Sequence, residues 1–151
     1  MDDHRNNALE QITTLFESQS LAVLSTQKNG QPYASLVAFA TSNDLEHIFF
    51  LTPNTTRKYE NLIQNPKTAI LVNNSLNQAD DIYKAISVTA TGIASVVEKS
   101  DKPEFLNLYL KKHPHLKEFS TAPTTAFICV TVNRYFMVNQ FQNVVEIRVT
   151  P

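Results

Sequence analysis

The sequence predicts a mainly β (α+β) domain, a small antiparallel β-barrel flanked by two or three helices. Three observations carry that prediction. About seven short runs rich in β-branched and aromatic residues succeed one another, with turn residues between them. Asn29-Gly30 separates two of these runs and is the strongest local hairpin signal in the chain. The first three runs follow one another without an intervening helix, so they read as a meander and not as a βαβ unit. Closing such a sheet on itself removes its exposed edges.

The elements follow in order. Residues 6–18 place Leu9, Ile12, Leu15 and Phe16 at helical spacing, which predicts one amphipathic helix. The period then changes, and residues 20–26 (SLAVLST) form a first strand. The Asn-Gly turn leads into a second strand over 32–41 (PYASLVAFAT), and Ser42-Asn43-Asp44 turns the chain into a third over 46–51. A short helix opens near Thr55-Thr56-Arg57-Lys58 and stops at Asn65-Pro66. Strand four spans 68–73, and 74–81 reads as a polar, mobile loop. Residues 83–97 are rich in β-formers but broken by Gly92, which predicts one long strand with a bend or bulge. A second helix is expected over 100–113, with Ser100 as its cap, Pro103 and Glu104 in its first turn and Lys111 and Lys112 in its last. Runs at 124–132, 134–139 and 144–150 supply the remaining strands.

Composition narrows the function classes. At 151 residues the chain suits a single domain over 1–151, with enough apolar residues (42%) to bury a core. A net charge of −1 argues against a general nucleic-acid binder. The lone cysteine, Cys129, lies in an apolar run and reads as a buried structural thiol, and no Cys/His pattern suggests a metal site. Met1-Asp2-Asp3-His4 is polar and acidic, unlike a signal peptide, and no apolar run approaches membrane-span length, so the expected location is cytoplasmic. With only two glycines, Gly30 and Gly92, neither a Walker loop nor a GxGxxG fingerprint is possible. Any nucleotide must be held another way.

The stretch FFLTPNTTRKYENL (49–62) offers one. Thr52, Thr55 and Thr56 bring hydroxyls, Arg57 and Lys58 bring adjacent cations, and a helix N-terminus adds unpaired N–H groups. Arg offers a planar fork and Lys a compact charge, so the two can grip different oxygens of one phosphate. The competing reading is a Thr N-cap followed by two solvated charges.

The order LSTxKNGxPYASLVAF, turn, IFFLTPNTTRKYENLIQNPKTAILV resembles the pyridoxamine 5′-phosphate oxidase-like, FMN-binding split-barrel family over about residues 10–97. The resemblance implies a split barrel, FMN as cofactor, and Thr52, Thr56, Arg57 and Lys58 as the phosphate grip. It also implies that Ser35, Leu36 and Val37 run along the isoalloxazine, and that the flavin lies at a homodimer interface completed by a second chain. Ser87 or Thr89 are candidates for the ring's polar edge. In the family's oxidase branch a longer C-terminal region, with a Trp and an Arg-rich segment, holds the pyridoxal phosphate substrate. This chain has no Trp, so the resemblance supports FMN binding more than oxidation of pyridoxamine phosphate.

The remaining candidates carry less. Arg134 and Arg148 read either as ligand contacts or as surface residues of strands. His113 and His115 flank Pro114 as a solvated helix cap, without a third metal ligand nearby. No histidine accompanies a Ser or Cys nucleophile motif, so no catalytic residues are assigned. The expected function is an FMN-dependent oxidoreductase acting on an unidentified small molecule. The alternatives are a non-catalytic flavin-binding, storage or stress-related protein, and a same-fold binder of haem or of the deazaflavin F420.

Overall fold

The computed structural model describes residues 3–139 and 142–149. Helix α1 (Asp3–Ser18) precedes the meander β1 (Leu21–Lys28), β2 (Gln31–Thr41) and β3 (His47–Pro53). Then come α2 (Arg57–Gln64), β4 (Lys67–Asn73), α3 (Asp81–Lys84), β5 (Ser87–Val97), α4 (Pro103–Lys112), a 3-10 turn (Pro114–Leu116), α5 (Lys117–Thr121), β6 (Thr125–Asn139) and β7 (Asn143–Arg148). All pairings are antiparallel, in the order β3-β2-β1-β4-β5-β6-β7, and β3 also pairs with β6. Six strands thus close into a barrel and β7 extends it. The barrel is split because β6 changes partners along one edge. Residues of its first half pair with β3 (His47↔Thr131 to Pro53↔Thr125), and its second half pairs with β7.

Local sequence explains the joints. Asn29 (φ 52°) and Gly30 (φ 81°) both adopt left-handed backbone, the requirement of a two-residue hairpin turn. At Gly92 the β5–β6 register slips, and a Cβ there would stand 2.3 Å from the Thr131 carbonyl oxygen, so only glycine allows the strands to close. The core has two parts: the barrel interior, with Phe39, Phe50, Ile70, Ile128 and Tyr135 and with Phe16 of α1 against Phe39 and Tyr135, and the opposite face of β3 and β6, where Phe49 and Phe127 pack under Phe105 and Tyr109 of α4. Tyr135 donates its hydroxyl to the Leu45 carbonyl at 2.8 Å, which satisfies the polar end of a buried ring.

Several sequence expectations are corrected. The strands expected over 124–132 and 134–139 are one continuous strand, because β6 is long enough to pair β5 along its whole length. The strand expected from Tyr83 begins at Ser87. Asp81 accepts N–H bonds from Leu76 and Gln78 and so folds residues 81–84 into a helical turn. Ser100 does not cap α4; Lys102 occupies that position, since the residue before Pro103 is kept out of the helix and Pro103 starts it. The short helical segments after His113 were not expected. Nor is His113 a solvated cap: it is 3% exposed, its Nε2 lies 2.8 Å from the Phe39 carbonyl, and its ring packs on Tyr109. Cys129 is buried, as read from its apolar run.

Candidate functional site

Strand β3 leaves the sheet at Pro53 and delivers the chain to the start of α2. Thr56 is the N-cap, with extended backbone, and its hydroxyl accepts the Tyr59 N–H at 3.2 Å. The first intrahelical bond of this end runs from the Glu60 N–H to the Thr56 carbonyl. Of the three early N–H groups at 57, 58 and 59, the cap therefore satisfies the third and leaves those of Arg57 and Lys58 ahead of the first helical bond. Thr52 is only 1% exposed; its hydroxyl lies 2.8 Å from that of Thr56 and 3.1 Å from the Pro53 carbonyl. Thr56 also donates to the Pro53 carbonyl at 3.1 Å. The two threonines thus brace the turn from behind. Arg57 is exposed and Lys58 half-buried, and among the described residues neither forms an ion pair with a carboxylate.

The site's second wall is β2. Strand β1 covers one side of β2 over Gln31–Ala38, whereas β3 pairs with the other side only through Phe39–Thr41. Among the described residues, no strand pairs with the edge of β2 around Tyr33–Val37. An unpaired edge in a barrel is a row of free backbone donors and acceptors. The Arg57 guanidinium lies 5.6 Å from the centre of the Tyr33 ring, which brings the cationic turn to this open edge. Ser35 is half-buried and its hydroxyl is among the buried polar atoms without a hydrogen-bond partner. Leu36 points outward at 64% exposure, while Val37 faces the core.

The structure therefore brings Thr52, Thr56, Arg57 and Lys58 together and sets Arg57 against Tyr33, two residues before Ser35 on the open stretch of β2 that also carries Leu36 and the inward-facing Val37. It does not bring Ser87 to them. That residue pairs with Asn73 and Val138, on a strand three positions from β2 in either direction round the barrel. It lines a separate concavity of about 380 Å³ with Leu71, Asp81 and Val138. Arg134 is engaged by Glu146 at 3.4 Å on the outer surface.

Sequence reasoning missed what holds the turn in place. The buried Asn61 donates from Nδ2 to the Thr26 hydroxyl at 3.0 Å, and Lys28 forms an ion pair with Glu60. That contact, and to a lesser degree Arg57, holds the Glu60 carboxyl below the usual carboxylate range. Asn61 lies next to Leu62 on the buried face of α2, a spacing that gave a clue; nothing in the sequence pairs Lys28 with Glu60. The described residues contain no group of three or more potential metal ligands, and no helix among them is long and apolar enough to cross a membrane.

Comparison with known proteins agrees with this architecture. The pyridoxamine 5′-phosphate oxidase family model matches residues 8–139. No curated protein sequence matches the chain. Among solved structures, a heme binding protein from Mycobacterium smegmatis superposes with a TM-score of 0.82 at 17% identity, covering 94% of this chain and 58% of its own. General Stress Protein 26 from Bacillus anthracis gives 0.70 at 20% identity, covering 94% and 98%. A FAD-binding protein from Mesorhizobium loti gives 0.68 at 20% identity, covering 86% and 90%. This chain thus spans little more than half of the mycobacterial protein. At these identities the likeness is one of fold.

Proposed function

The chain belongs to the pyridoxamine 5′-phosphate oxidase family, and on that premise we propose that it is an FMN-binding oxidoreductase acting on a small molecule. The observation that carries the reading is the meeting of the Arg57-Lys58 turn with the open edge of β2. A flavin mononucleotide asks for a dianion seat, a flat apolar slot and a few polar groups at the ring edge. Arg57, Lys58 and their two backbone N–H groups suit the first requirement. Thr52 and Thr56 hold that seat's shape. The exposed Leu36 side chain and the unpaired backbone of the β2 edge suit the others.

When bound, FMN supplies the hydride or electron transfer. The chain's own residues then bind and orient the cofactor. A second copy of the chain is the proposed partner. Leu21 (53% exposed) and Leu36 stand on the outer face of adjacent strands beside the half-buried Val23, and this apolar cluster is where the second copy would sit. Ser87 enters the site only if the partner contributes it.

FMN titrated into the protein should bind one per chain, and NAD(P)H should bleach the bound flavin, with colour returning when an acceptor is added. Stoichiometric binding without turnover would instead favour the storage or stress-related reading. Haem is a weaker reading. The mycobacterial neighbour supports it through fold alone, and His113 already engages a carbonyl at Nε2.

A further inference from the structure

Helix α2 carries two cations at its first positions and a single carboxylate, Glu60. Residues three apart on a helix are surface neighbours, so Glu60 is the natural internal partner of Arg57. A paired Arg57 would meet an incoming phosphate already neutralised. In the structure the β1–β2 hairpin prevents this. Lys28, the last residue of β1 before the Asn29-Gly30 turn, takes Glu60, and Tyr33, on the returning strand, takes Arg57 against its ring. Below them the buried Asn61–Thr26 bond fixes α2 to the same hairpin. The hairpin therefore contacts α2 along one face, at Arg57, Glu60 and Asn61, and gives Arg57 and Glu60 separate partners.

We propose that Lys28 is a positioning residue for the anion seat: by holding Glu60 in an ion pair it keeps that carboxylate from closing directly on Arg57, whose guanidinium stays available to a phosphate monoester. This rests on the phosphate reading of the turn given above. Lys28 touches no ligand itself. It acts through the only carboxylate able to compete for Arg57 within α2. Both partners of the Lys28–Glu60 pair are about half-exposed, so the effect on affinity is modest.

The test is a double-mutant cycle read by FMN and riboflavin titration. Lys28→Met should weaken FMN binding roughly two- to five-fold, the range of an exposed ion pair, and leave riboflavin, which lacks the phosphate, unchanged. Lys28→Arg should keep the wild-type affinity. Glu60→Gln should change FMN affinity little in the wild type but restore it in Lys28→Met. If Glu60→Gln gives the same gain in both backgrounds, Lys28 acts by its own charge and the proposal is overturned. Equal loss of FMN and riboflavin in Lys28→Met would overturn it too, by showing a structural role only. The Arg57→Ala/Lys58→Ala variant separates the two levels. If that variant keeps the preference for FMN over riboflavin, the anion seat itself is wrong. If it loses the preference while Lys28→Met binds normally, only the positioning role fails.

Discussion

Replacing Arg57 and Lys58 together by alanine removes both side-chain charges from the start of α2 and leaves its backbone N–H groups. A hydrogen bond to a charged group contributes about 1.5–3 kcal/mol. Arg57 is exposed and Lys58 half-buried, so the lower figure applies to each. Together that is about 3 kcal/mol, or roughly a hundred-fold loss of FMN affinity. Riboflavin affinity should hold, because the proposed placement sets the ring along the β2 edge and not on the turn. Neither side chain belongs to the core, and Thr56 still caps the helix, so thermal stability should shift by no more than about 0.5 kcal/mol. Flavin fluorescence quenching measures both affinities, and calorimetry checks the fold. An unchanged FMN affinity in a folded double variant, or a parallel loss of riboflavin, would refute the phosphate seat.

Other predictions follow from the same packing. Gly92→Ala drives a methyl group against the Thr131 carbonyl and should cost about 2–4 kcal/mol, seen in calorimetry as a fall in Tm of about 5–15 °C. Leu36→Glu should turn a dimer into monomers in light scattering coupled to size exclusion, and weaken FMN binding with it. Burial, with smaller contributions from neighbouring Lys112 and His115, lowers the His113 pKa from its ordinary 6.5 against the opposing Phe39 carbonyl. The unfolded chain then binds more protons, so this residue's contribution is complete above about pH 6.5 and declines as pH falls below it. His113→Gln, which can still donate to Phe39, should flatten the stability profile between pH 7 and 5; an unchanged slope would remove His113 as its source.

Much of the fold was legible because its signals are local. Asn29-Gly30 fixes one hairpin, the apolar period marks α1, and Gly92 announces a bulge. The ends of elements were harder to read, since they depend on who pairs with whom. Residues 125–139 form one strand because β5 pairs with it across the expected break, and 81–84 form a helical turn because Asp81 reaches back to Leu76. The site divides in the same way. Arg57 and Lys58 stood out as adjacent cations at a helix start. The open edge of β2 comes from β3 pairing with only three of its residues, and the Lys28–Glu60 pair joins positions 32 apart. Neither leaves a mark in composition or periodicity.

The most direct measurement is the visible absorption spectrum of the purified protein, with FMN titrated in if it emerges colourless. The account predicts the two flavin bands, or saturable uptake of one FMN per chain. A Soret band, or a protein that binds no FMN while correctly folded, would contradict it.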